Sequence, residues 1–317
     1  MATTVATASS GSPARSRSRK ASSSSGNSQR PGVFARRVAP WAPVALGLLG
    51  QATLNPPTAK PTDFKAAVCG PSISGYEECH NEYPTGCSKA AKYDAYLNEL
   101  KNLPVAPAEP VRWLAELKDF TGLDQKLPHD LTRDNQSQLF SALKGLGEGS
   151  VAGTVGYLYY AQKGGTSESS NCQLSGTDNI DFHLGIGFDP ALAAKLAAKQ
   201  PLTESEKSTE KKESIIVEMT PHWRARFKPD WSLDLLKPAI GHQVRVIGQL
   251  LIDNEHYDTK DNCAIKGANQ ETCWRASVWE LHPVTGFQVC GTGDNCARDG
   301  AGWVELEDYK GTPAGSS

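Results

Sequence analysis

The chain has 317 residues, enough to bury a sizeable core and to form two domains. Its formal charge of -2 conceals an asymmetry: residues 1–62 carry eight Lys or Arg and no acid, which leaves 33 - 8 = 25 bases against 35 acids beyond them. An acidic remainder lacks the basic surface that tight nucleic-acid binding requires, so nucleic acid is set aside as a partner.

Ser, Ala, Thr, Gly and Arg dominate residues 1–30, a composition too poor in apolar groups to offset chain entropy, and it predicts disorder. Arg36-Arg37, the uncharged run from Val38 to Gly50 and the small residues around Ala52 follow the layout of an export signal. Residues 1–52 are therefore expected to be a disordered basic segment ending in that signal, and the protein to be secreted or periplasmic. The run is too short to span a membrane and contains Pro40 and Pro43. The paired arginines suggest the Tat route, but their neighbours match it poorly. A plain disordered tail, a start codon upstream of an ordinary signal, and an organelle transit peptide are the competing readings.

All eight cysteines lie beyond position 52 and none forms a C-x-x-C pair, which fits an oxidising compartment better than a zinc ribbon. Cys263–Cys273 and Cys290–Cys296 would each close a short loop holding Gly, Asn or Asp, worth roughly 2–3 kcal/mol of denatured-state entropy. Cys69, Cys79, Cys87 and Cys172 remain to tie the N-terminal region to itself and to the first strand loop.

Residues 53–68 are rich in Pro and Thr and read as a linker, and residues 69–148 as a helical region. Ser88 can cap a helix bearing Tyr93, Tyr96, Leu97 and Leu100 at three- and four-residue spacing. Pro110 suits the first turn of a second helix carrying Trp113, Leu114, Leu117 and Phe120, with Gly122 to end it. Asp134 can open a third, with Leu139, Phe140, Leu143 and Leu146 on one side. Asn135-Gln136-Ser137 is a glycosylation sequon, relevant only in a eukaryotic secretory route.

From residue 149 to 292 the period changes to two. Strands are expected over Val151–Ala161, Asn179–Phe188, Ser214–Thr220, Gln243–Asp253 and Ala276–Val289. The loop Gly164–Asn171 lacks a P-loop Lys and is expected to be a flexible hairpin connection. An insertion at 189–213 reads as an Ala-rich helix followed by a solvated, mobile charged stretch from Thr203 to Glu213. Asp230 or Ser232 can cap a short helix through Leu233, Leu235 and Leu236, stopped by Pro238. Three strands, a helix and two strands make the order of a five-stranded OB-type Greek-key β-barrel, so the expected class is α+β, with a disulfide-tied N-terminal helical region before the barrel. Residues 293–317 are left as a C-terminal tail.

Four segments carry a resemblance: Asn179-Ile180-Asp181-Phe182-His183-Leu184, Ile215-Ile216-Val217-Glu218, Val244-Arg245-Val246-Ile247-Gly248 with Asp253-x-x-His256, and Trp279-Glu280-Leu281-His282-Pro283-Val284. Together, over roughly residues 150–290, they resemble an uncharacterised family of bacterial exported proteins. That resemblance implies an exported OB-like barrel and brings no activity with it.

Alternation sends Asp181, His183, Glu218, Glu280 and His282 to the outer face, with Asp253 at a strand end and His256 in the turn beyond it. Imidazoles beside carboxylates suit a divalent metal such as zinc, or acid–base work near neutral pH. Cross-strand His–carboxylate pairs also stabilise a sheet face with no ligand at all. A second candidate is the basic-aromatic run Trp223, Arg224, Arg226, Lys228 and Trp231, whose rings could stack on a sugar or base or could simply pack under the barrel. Three functional readings follow: an exported module binding a small molecule, saccharide or metal; a metal-dependent hydrolase, nuclease-like by fold analogy; and a structural envelope protein.

Overall fold

The computed structural model describes Leu97, Leu100 and Lys101 and residues 110–132, 135–166, 168–171, 176–291 and 293–311. The export signal, the linker, the helix capped by Ser88 (apart from Leu97 and Leu100), Asp134, and Cys69, Cys79, Cys87 and Cys172 lie outside these residues. Among the described residues the chain is α+β, with seven strands in one mixed sheet and six α-helices.

In chain order the elements are β1 (Arg112–Trp113), α1 (Leu117–Asp124), α2 (Phe140–Leu146), β2 (Val151–Lys163), β3 (Phe182–Gly187), α3 (Pro190–Ala197), α4 (Glu204–Lys212), β4 (Ser214–Met219), α5 (Pro221–Phe227), α6 (Leu233–Leu236), β5 (Gln243–Ile252), β6 (Trp279–Cys290) and β7 (Trp303–Glu305). The five long strands run where the period of two predicts them. Their pairings return on themselves: β2 with β3, β3 with β4, β4 with β6, β6 with β5, and β5 with β2. The β4–β6 contact is parallel, registered at Val217 and Leu281, and the other four pairings are antiparallel. Gly248 sits where the β5–β6 register shifts, and a Cβ there would lie 2.7 Å from the Pro283 carbonyl oxygen, so glycine lets the two backbones approach.

One side of each long strand fills the core. Phe182, Leu184 and Ile186 of β3, Ile215, Val217 and Met219 of β4, Val244, Val246, Leu250 and Ile252 of β5, and Trp279, Leu281, Val284, Phe287 and Val289 of β6 pack together, excluded from water. α1 adds Phe120 and Leu123 to this cluster, and the chain after β7 adds Leu306 and Tyr309.

Several local expectations give way. Pro110 does not open a helix: Arg112–Trp113 extends and pairs in parallel with β2, held by Thr154 Oγ1 donating to the Leu114 carbonyl at 2.7 Å. The helix begins at Leu117, where Asp119 Oδ2 accepts from the Glu116 N–H at 3.0 Å, and Gly122 lies within it. The charged stretch from Thr203 to Glu213 is ordered as α4. Glu206 N–H donates to Thr203 Oγ1 at 3.2 Å and Thr203 N–H to Glu206 at 2.9 Å, a complete capping box, and Lys195 of α3 pairs with Glu206. The segment left as a tail supplies β7, whose residues pair with Gln288, Val289 and Cys290 of β6. Two disulfides, Cys263–Cys273 and Cys290–Cys296, join the pairs chosen from loop spacing.

Candidate functional site

The face of β3, β4 and β6 opposite the core carries charge. His183 and Glu218 are registered partners across the β3–β4 ladder, and His183 Nε2 lies 3.4 Å from Glu218 Oε1. Glu280 and His282 share the same side of β6, two residues apart. His282 Nδ1 lies 3.0 Å from Glu218 Oε2 and 3.1 Å from Glu280 Oε1. A ring nitrogen has one hydrogen at most, so the two carboxylates compete for it.

Asp253 caps the turn after β5, its Oδ1 accepting from the Glu255 N–H at 3.2 Å. Its other oxygen lies 3.2 Å from Arg275 and 3.8 Å from His256 Nε2, while His256 Nδ1 is 2.9 Å from Asp261. Asp181, just before β3, is bonded through Oδ2 to the Ser170 hydroxyl. The seven residues singled out by alternation therefore do belong to one continuous group of contacts, with Asp181 joining it through its approach to Glu218 and His282.

The expectation of an exposed face is corrected. Asp181, Glu280 and His282 are 0% exposed and Glu218 and Asp253 only 2%. Two segments cover them. Leu97 and Leu100 pack on Leu251 of β5, which sets Lys101 over the carboxylates, 4.0 Å from both Asp253 and Glu168. The Gly164–Asn171 loop closes the other side: Glu168 stands 3.7 Å from His183, and the Asp181 N–H donates to Asn171 Oδ1 at 3.0 Å. Gly164 itself abuts the imidazole, for a Cβ there would lie 2.6 Å from His183 Nε2. The loop read as a flexible hairpin connection is thus a lid.

Lys101, Glu168 and Arg275 were missed by strand period because none of them lies on a strand. One signal could have found the cations: buried carboxylates require partners. Arg275, 1% exposed, holds Glu280 at 3.0 Å as well as Asp253, and its Nε donates to the Ser277 carbonyl at 2.8 Å.

Burial opposes every charge here, and neighbours decide the outcome. Burial would lower the Lys101 pKa, but Asp253, Glu218 and Glu168 raise it well above its ordinary value. Burial would raise Glu218, but His183, His282 and Lys101 hold it well below. Asp253 is likewise lowered against its burial by Lys101, His256 and Arg275. Burial would depress His282, yet the charge of Glu218 and bonds to Glu218 and Glu280 lift it to about 10. His183 is raised against its burial by Glu218, Glu168 and Asp181. Glu168 is raised, chiefly by burial.

Asp181, Glu218 and His282 meet at the heart of the group: Asp181 Oδ1 and His282 Nε2, shut off from water, have no hydrogen-bond partner among the described residues, while Glu218 Oε2 faces His282 Nδ1. The same three residues each offer a ligand atom, and those atoms lie within 4.8 Å of one another. Glu218, Asp253 and Glu280 form another close set, but Arg275 already occupies the last two.

The basic-aromatic run resolves mostly into structure. Arg224 is buried, stacks on Phe182 at 3.6 Å and donates to the carbonyls of Met219 and Ile180. Trp231 is buried with Nε1 on Glu307, which also takes Lys228 at 2.8 Å. Trp223 and Arg226 are the two members that border open space. Compared with known proteins, the chain matches no family model, no curated protein and no solved structure.

Proposed function

We propose that the protein is an exported binding module, built on an OB-type Greek-key barrel, whose covered outer face holds a divalent cation such as zinc. The carrying observation is the trio Asp181, Glu218 and His282, close enough to share an ion, in which Asp181 Oδ1 and His282 Nε2 are buried with no hydrogen-bond partner among the described residues. Two carboxylates and an imidazole suit zinc or another first-row divalent ion. Glu218, Glu280 and Asp181 hold His282 in its protonated form, and a divalent ion at that imidazole would take the place of the proton among the same carboxylates. Burial of the trio supports holding an ion over hydrolysis, because a catalytic ion keeps a position open to substrate.

The ring of five paired strands, with its single parallel contact, supports the barrel reading. Two short-loop disulfides support an oxidising compartment, in keeping with the exported family that the strand motifs resemble.

Elemental analysis of the native, purified chain tests the cation. One equivalent of a divalent metal is expected, and after chelation it should be recovered on titration with zinc. His282→Ala and Asp181→Asn, checked for folding by circular dichroism, should each lose it. A metal-free native protein with no affinity for added divalent ions removes the proposal; unaltered binding in both variants removes these ligands. Export is tested by N-terminal sequencing, which should begin after about residue 52.

A further inference from the structure

Beside the covered cluster, α5 and the ends of β4 and β6 frame a second feature, a cleft with about 230 Å³ of empty space open to solvent. Its polar wall is Lys101, Thr220, His222 and Arg226, and its apolar wall is Trp223, Phe227 and Pro283. Among the described residues no lining side chain is acidic, in a chain that is acidic beyond residue 62. Arg226 is exposed, and its guanidinium makes no hydrogen bond or ion pair among the described residues; it lies over the Phe227 ring at 5.3 Å. Trp223, 8% exposed, has a buried Nε1 with no partner among the described residues, although a buried indole N–H ordinarily finds an acceptor. The Trp223 and Phe227 rings sit 4.2 Å apart and form a continuous apolar side.

We infer that this cleft binds a small oxyanion, a phosphate or carboxylate borne on a flat apolar body, with Arg226 as the charged anchor and the Trp223–Phe227 pair as the platform. A guanidinium with no internal partner presents its planar donor fork to an incoming oxyanion. The inference stands on α5 and does not depend on the cation proposed above, although Lys101 borders both places.

Titration of the full chain with inorganic phosphate and with phenyl phosphate, followed by tryptophan fluorescence and calorimetry, tests it. Phenyl phosphate should bind, and several-fold more tightly than inorganic phosphate. Arg226→Ala, at an exposed position, should weaken phenyl phosphate by roughly tenfold or more, with Arg226→Lys between the two. Asp181→Asn should leave this binding intact whether or not it abolishes a metal. Absence of binding by both phosphates, or equal affinity in Arg226→Ala, overturns the site; equal affinity for the two phosphates overturns the aromatic platform.

Discussion

Strands β3, β4 and β6 are shut away from water on both faces, and the two faces reach that state by different means. On the inner face Phe182, Leu184, Val217, Met219, Trp279 and Leu281 need only fill space, since apolar burial is non-directional. On the outer face His183, Glu218, Glu280 and His282 need specific partners at specific distances, some of them supplied from Lys101, Glu168 and Arg275. The inner face is therefore tolerant and graded, while the outer one fails as a unit when a partner is withdrawn. Such networks add little net stability over an apolar substitute, yet breaking one is costly.

The sharpest way to break the comparison is Arg275→Ala, which strands Asp253 and Glu280 as buried carboxylates without their cation. A loss of roughly 3–5 kcal/mol in urea unfolding is expected; a loss below that of a single methyl deletion from the core would mean the outer face is not cooperative.

Asp124 offers a milder test, at the end of α1 and outside the charged group. Its Oδ1 accepts from Asn262 Nδ2 and the Val278 N–H, both at 3.1 Å. Burial raises its pKa from 3.8 to about 6, against the lowering effect of those bonds and of Ser277. The folded state then binds the proton more tightly than the unfolded one. Its contribution to stability is full below about pH 4 and declines as pH rises through about 6, by roughly 3 kcal/mol in all. Asp124→Asn should flatten that slope between pH 4 and 6 relative to the parent; an unchanged difference between the two across that window contradicts the shift.

Removing Cys290–Cys296 by paired Ser substitution should cost about 2 kcal/mol through the loop it closes, and should spare the charged face. Smallest of all, Ile186→Val on the inner face should cost about 1 kcal/mol, the graded response expected of simple packing. A cost several times larger would erase the distinction between the faces.

Period-two alternation in the sequence was enough to find the five long strands and both faces of the sheet. It also brought together His183, Glu218, Glu280 and His282, because side-chain parity is a local property of each strand, whereas Asp181 lies just before β3 and Asp253 and His256 in the turn after β5. Loop spacing was enough for the two C-terminal disulfides for the same reason. What parity does not carry is the cover. Whether a strand's outer face meets water depends on distant chain, and neither Leu97–Lys101 nor the Gly164–Asn171 lid advertises its destination. For the basic-aromatic run the sequence left stacking on a ligand and packing under the barrel both open, and Arg224 goes to packing, its guanidinium spent on backbone carbonyls. Glu204–Lys212 looked mobile because it has no apolar stripe; its caps and the Lys195–Glu206 pair do the fixing instead.

Lys101 reaches across from the stretch that composition assigns to a separate N-terminal region, and this has a practical corollary for anyone dissecting the chain. A fragment cut to begin at residue 149 would keep Glu168, Asp181, Glu218, Asp253 and Glu280 but lose Lys101 as a permanent counter-ion, and would also lose the leucines that roof Leu251. The two halves are thus not modular: excision at the composition boundary should give a product that aggregates or melts early, whereas a piece that retains Leu97 through Lys101 should behave like the parent.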